Sequence, residues 1–188
     1  MHSVVQTNNK VIIFEGLDRV GKTSQIKLLL KYLLDNPTYV IHFSGIPGIE
    51  PATSRKYSEI MYDDMFNLIR DANDNNRNLI FDRSHLGEYV YSPIYRKYSG
   101  EFIFDIEKKH VDVIKNVHLF VLIDTPANLL EREDGNSFTL DINKKQHEID
   151  LFKEAFDKTN IRHKYLIDIN KQSINTVHTF IRNILFGY

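Results

Sequence analysis

The chain has 188 residues, with 24 basic residues against 25 acidic ones and no cysteine. This length suits one domain around one core. The even charge balance argues against a polybasic surface for nucleic acid or membrane, and the lack of cysteine excludes disulfides, thiolate catalysis and cysteine-held metals.

Residues 1–9 read as a polar tail without the apolar core of a signal peptide. No apolar run is long enough to span a bilayer, and a cytoplasmic location is the expectation. Val11 to Phe14 is an apolar strand. Gly16, Gly21, Lys22 and Thr23 then match G-x-x-x-x-G-K-[ST], and a helix follows with Ile26, Leu29, Leu30, Leu33 and Leu34 on one face. A strand before this motif and a helix after it are the context of a phosphate-binding loop. Glycine lets phosphate oxygens approach the backbone, whose N–H groups and helix N-terminus point positive ends at them. Asp18, Val20 and Ser24 complete the loop around the nucleotide. Lys22 would reach the terminal phosphates of ATP, and the Thr23 hydroxyl would hold Mg²⁺.

Asp35-Asn36-Pro37 breaks the first helix, and Tyr39 to Phe43 reads as the second strand. Ser44 to Gly48 is a loop. Tyr57, Met61, Met65, Leu68 and Ala72 recur at helical spacing. Leu79 to Asp82 is a third strand ending in a carboxylate, followed by a tyrosine-rich helical region to Tyr98. Further elements are a helix over Phe104–Ile114, a strand over His118–Asp124, a short helix over Ala127–Arg132 and a helix over Lys144–Lys158. A strand over Lys164–Ile169 and a last helix capped by Ser173 complete the chain. Alternating strands and helices predict an α/β fold with three layers, a five-stranded parallel sheet flanked by helices. Ligands then lie beyond the C-terminal strand ends. Asp82 there can hold Mg²⁺ through water, as in phosphoryl-transfer sites, and Arg83 offers a planar fork to an acceptor phosphate.

A guanine-reading N-K-x-D is missing: Asn143-Lys144-Lys145-Gln146 and Asn170-Lys171-Gln172-Ser173 both lack the acid. The stretch F-E-G-L-D-R-V-G-K-T-S-Q, Phe14 to Gln25, closely resembles the thymidylate kinase family, as does Asp82-Arg83-Ser84. The resemblance implies a nucleoside monophosphate kinase fold in a single domain, with a lid at about 131–143. It implies transfer from ATP with Mg²⁺ to a deoxynucleoside monophosphate, dTMP above all, and a homodimer. By position it makes Tyr91 the residue that excludes ribonucleotides, Phe66 the base-stacking ring and Arg70 its partner one helical turn later. Asp18 would accept from the sugar 3′-hydroxyl, Arg19 would be the catalytic arginine inside the loop, and Arg96 a second ligand of the acceptor phosphate. Phe66 reads equally well as ordinary core. Glu15 is a candidate partner for Arg83 or Arg19. The eight histidines show no metal-ligand spacing, and His85, beside the Asp-Arg pair, is the one that calls for a test.

The chain departs from the family at Ser44-Gly45-Ile46-Pro47-Gly48, where R-E-P-G-G is usual, and at Ser92-Pro93. These departures fit a divergent, viral type of deoxynucleotide kinase. Two rivals stay open. One is a deoxynucleoside kinase, whose hydroxyl acceptor needs a carboxylate base, with Glu50, Glu59 and Glu88 as candidates. The other is a non-catalytic nucleotide-binding regulator.

Overall fold

A computed structural model of the protein describes residues 9–44, 49–133, 135 and 139–187. Among these residues five strands, β1 (Val11–Glu15), β2 (Thr38–His42), β3 (Asn78–Asp82), β4 (Val117–Ile123) and β5 (His163–Asp168), form one sheet in the order β2-β3-β1-β4-β5. Every pairing is parallel. The three middle strands are almost wholly buried, which explains their continuous apolar runs. The outer strands β2 and β5 are partly exposed and more polar.

Among the described residues seven α-helices flank the sheet: α1 (Lys22–Leu29), α2 (Pro51–Asp74), α3 (Leu86–Tyr91), α4 (Phe102–Lys109), α5 (Pro126–Glu131), α6 (Ile142–Lys158) and α7 (Ile174–Phe186). Helix α1 packs on α7, α2 on α4, and α3 on α6. Across the sheet, Phe14 stacks on Phe120 at 5.5 Å and Phe120 on Tyr165 at 5.2 Å, one ring from each of three adjacent strands. The strand order reverses about β1. The loop after β1 therefore leaves the sheet at the topological switch point, where such folds bind ligands.

Two elements differ from expectation. Helix α1 ends at Leu29 and tightens to a 3₁₀ turn over Leu30–Tyr32, so Leu34 stands 80% exposed instead of joining the apolar face. The chain must turn there to enter β2, and the Thr38 hydroxyl takes the Leu33 carbonyl. The tyrosine-rich region is not one helix. Pro93 has no N–H for the α-helical ladder, and the chain widens to a π turn over Ser92–Arg96, ended by Lys97 at φ 61°.

Candidate active site

Register places the site. Phe14 of β1 lies beside Asp82 of β3, so the loop after β1 and the turn after β3 emerge together. Gly16 has φ 124°, and a Cβ there would stand 2.1 Å from the Leu122 carbonyl oxygen on β4. Only glycine fits that approach. Gly21, at φ 85°, opens α1, turning the helix N-terminus toward the loop. A cavity of about 530 Å³ lies against it. Asp18, Arg19, Val20, Gly21, Lys22, Thr23 and Ser24 line one wall.

Lys22 is buried and donates from Nζ to the Gly16 and Leu17 carbonyls at 2.9 and 2.6 Å. Burial, then the nearby Arg83 charge, lower its pKa to about 8 against the pull of Asp18 and Asp82. The Thr23 hydroxyl donates to Asp82 Oδ2 at 3.1 Å. Asp82 Oδ1 is buried without a hydrogen-bond partner among the described residues. A hydroxyl beside an unsatisfied carboxylate oxygen is the hard oxygen donor set that Mg²⁺ prefers, so these residues fit that ion. His42 Nδ1 lies 3.7 Å from the same carboxylate.

At the turn after β3, Arg83 Nη2 donates to Asp18 Oδ1. Arg83 has φ 70° and Arg19 φ 66°, left-handed backbone that non-glycine residues adopt rarely. Arg19 Nη2 meets Glu133 Oε1 at 2.8 Å. Arg132 binds the Arg19 carbonyl at 2.8 Å and pairs with the buried carboxylate of Asp124. Tyr91 is buried against Phe152 and Tyr95. Burial, reinforced by Glu148 and Asp18, pushes its phenol well above the ordinary range.

Other candidates lie elsewhere. Phe66 is fully buried, stacked on His110 at 5.3 Å and crossed by His85 at 5.2 Å. Arg70 reaches Asn67, His110 and Asp112. Arg96 pairs with Glu88, whose carboxylate also takes the Tyr98 hydroxyl. Glu15 pairs with neither Arg83 nor Arg19. It accepts from the Ser84 N–H at 2.8 Å, the Ser84 hydroxyl at 2.8 Å and the Gly87 N–H at 3.1 Å. Within the expected lid, Arg132 and Glu133 are placed, while Asp134 and residues 136–138 lie outside the described residues, as do residues 45–48 of the loop after β2.

Sequence reasoning missed part of the cavity wall. His42, Arg132, Ile169, Lys171, Gln172 and Ser173 also line it. Lys171, at φ 58°, sits in the β5–α7 connection, which carries no phosphate motif to mark it. A Glu-Pro pair, as in R-E-P-G-G, does occur at Glu50-Pro51, where it starts α2 rather than the loop after β2.

No protein-family model matches the sequence, and no curated protein does. Solved structures match in fold. A thymidylate kinase from Candida albicans aligns with TM-score 0.70 at 15% identity, covering 94% of this chain and 91% of its own. A thymidylate kinase from Ehrlichia chaffeensis aligns with TM-score 0.69 at 18% identity, covering 94% and 98%. The YorR protein from Bacillus subtilis, solved in complex with phosphorylated GDP, aligns with TM-score 0.62 at 21% identity, covering 92% and 93%. The chain therefore has the fold of the thymidylate kinase-like nucleoside monophosphate kinases. Among the described residues no helix is long and apolar enough to cross a membrane, and no cluster of His, Cys, Asp or Glu forms a metal cage.

Proposed function

We propose that this chain transfers the terminal phosphoryl group of ATP to a deoxynucleoside monophosphate, with dTMP as the leading acceptor. One observation carries the reading. Lys22, Thr23 and Asp82 on the donor side meet the Asp18–Arg83 pair on the acceptor side at adjoining strand ends. Lys22 would neutralise charge on the transferred group, and the loop N–H groups would cradle the remaining phosphates. Mg²⁺, held through Thr23 and Asp82, would neutralise charge on the ATP oxygens. Arg83 would grip the acceptor phosphate bidentately once it shares its fork with Asp18. Tyr91 would close the sugar pocket, and the homodimer of the family comes with the reading.

A nucleoside acceptor needs a carboxylate base near the loop. Glu50 instead caps α2, accepting from the Thr53 N–H at 3.3 Å. Glu59 is tied to Arg55 on the exposed side of α2, and Glu88 is buried against Arg96. These engagements support the monophosphate, which arrives already ionised. The test is an acceptor screen with ATP and Mg²⁺. Turnover of dTMP, little or none of thymidine, and an Arg83→Ala variant with a raised KM for dTMP but not for ATP are expected. Thymidine as the better substrate would overturn the reading.

A further inference from the structure

Behind Arg83 runs a chain of buried polar side chains that the phosphate site itself does not use. Ser84 gives its hydroxyl proton to Glu15 Oε1. His85 Nδ1 lies 3.2 Å from that hydroxyl oxygen, and His85 Nε2 lies 2.7 Å from Glu107 Oε1. Glu107 also accepts from the Thr159 hydroxyl, the Asn160 N–H at 2.7 Å and Asn160 Nδ2 at 3.0 Å. Burial would push the Glu107 carboxyl up, but His85, Thr159 and Asn160 together hold it below its ordinary range. Both the His85 and Glu107 side chains are fully buried. The chain thus links β1, the turn after β3, α4 and the α6–β5 connection.

The Ser84 hydroxyl lies between Glu15 Oε1 and His85 Nδ1, and the imidazole carries the chain on from there to Glu107.

Such an arrangement is a poor source of stability, since apolar side chains of similar volume would serve as well or better. A buried network in which each side chain holds the next instead imposes one geometry, and here only Glu15 Oε2 lacks a partner among the described residues of that chain. The geometry that needs imposing is adjacent. Arg83 is held in left-handed backbone, its N–H on the Phe14 carbonyl at 2.9 Å. The next N–H, that of Ser84, is held by Glu15. We propose that Ser84, His85 and Glu107 form a positioning network that keeps Arg83 in this conformation against the loop. His85 and Glu107 thereby set affinity for the acceptor phosphate without touching it. This rests on the reading of Arg83 as the acceptor-phosphate ligand.

The double variant His85→Phe/Glu107→Met removes the network without stranding a buried charge. Its KM for dTMP should rise about ten- to a hundred-fold, the scale of a small misplacement of a binding group, with the KM for ATP changed less than about two-fold. An unchanged KM for dTMP, or an equal rise for both substrates, overturns the inference. If the double variant does not fold, Thr159→Val removes one donor to Glu107 and is measured the same way. A selective rise in the dTMP KM supports the network, and no rise overturns it. If wild-type protein phosphorylates no monophosphate, the functional reading fails separately. The backbone angle of Arg83 in a crystal structure of the variant then decides the inference: departure from positive φ supports it, and an unmoved Arg83 overturns it.

Discussion

At the scale of single residues, Lys22 connects burial to binding. Its pKa of about 8 lies below the ordinary lysine value. Nucleotide phosphates favour the charged ammonium, so binding raises that pKa. ATP affinity is then flat below pH 8 and weakens as the pH rises above it. Titration calorimetry at pH 7, 8 and 9 checks this, with proton uptake on binding at the upper end; pH-independent affinity would refute it. The Arg19 assignment is testable beside Arg132. Arg19 Nη2 pairs with Glu133 Oε1 at 2.8 Å, and its side chain is 10% exposed. Its replacement by Ala should lower kcat by about 10²–10⁵ and leave Tm nearly unchanged. Arg132→Ala leaves the buried Asp124 carboxylate without its cation, so its effect should appear first as a lower Tm. A larger kcat loss in folded Arg132→Ala protein than in Arg19→Ala protein would reverse the assignment.

At the scale of elements, the cavity depends on helix starts. Helix α7 begins where Ser173 accepts from the Thr176 N–H at 3.0 Å, and Ser173 also lines the cavity. Ser173→Ala should cost about 1 kcal/mol of stability, the ordinary value of such a cap. Denaturant unfolding measures this, and a loss below about 0.3 kcal/mol would show that the cap is not needed. Helix boundaries were the least legible part of the sequence. The apolar spacing through Leu34 continues past the point where the chain must turn into β2, and Leu34 faces solvent. Periodicity reports which residues can share a face, but the reach to the next strand decides how far the helix goes.

At the scale of the whole molecule, the opposite end of the sheet sets acid sensitivity. His118 on β4 stacks on His163 of β5 at 5.1 Å. Burial, then the charges of His163 and Lys10, lower its pKa to about 4. A histidine with a depressed folded-state pKa binds fewer protons when folded. The protein therefore loses stability as the pH falls from 6.5 toward 4. Urea midpoints should decline across that window, and His118→Leu should flatten the decline. An identical pH slope in both proteins would contradict this.

The glycine-rich loop after β1 was legible from sequence because its signature lies within a few consecutive residues. Gly16 and Gly21 both take positive φ, a backbone requirement set within the loop, and the approach of β4 at Leu122 adds to it at Gly16. Lys22 and Thr23 follow at fixed offsets on the same helix start. The parallel sheet was legible because strands buried on both faces must be apolar throughout. Pairings between distant elements were not legible. Phe66 and Arg70 share a helical face, yet the packing of α2 against His85 and His110 places that ring in the core. Arg96 meets Glu88 only because the π turn folds the chain back. Glu15 turns to Ser84 and Gly87, and His85 meets Glu107 from α4. Apart from Arg96 and Glu88, which the turn brings together, these contacts join residues far apart in the chain and depend on strand register, helix length and the volume between layers, which only the packed structure determines.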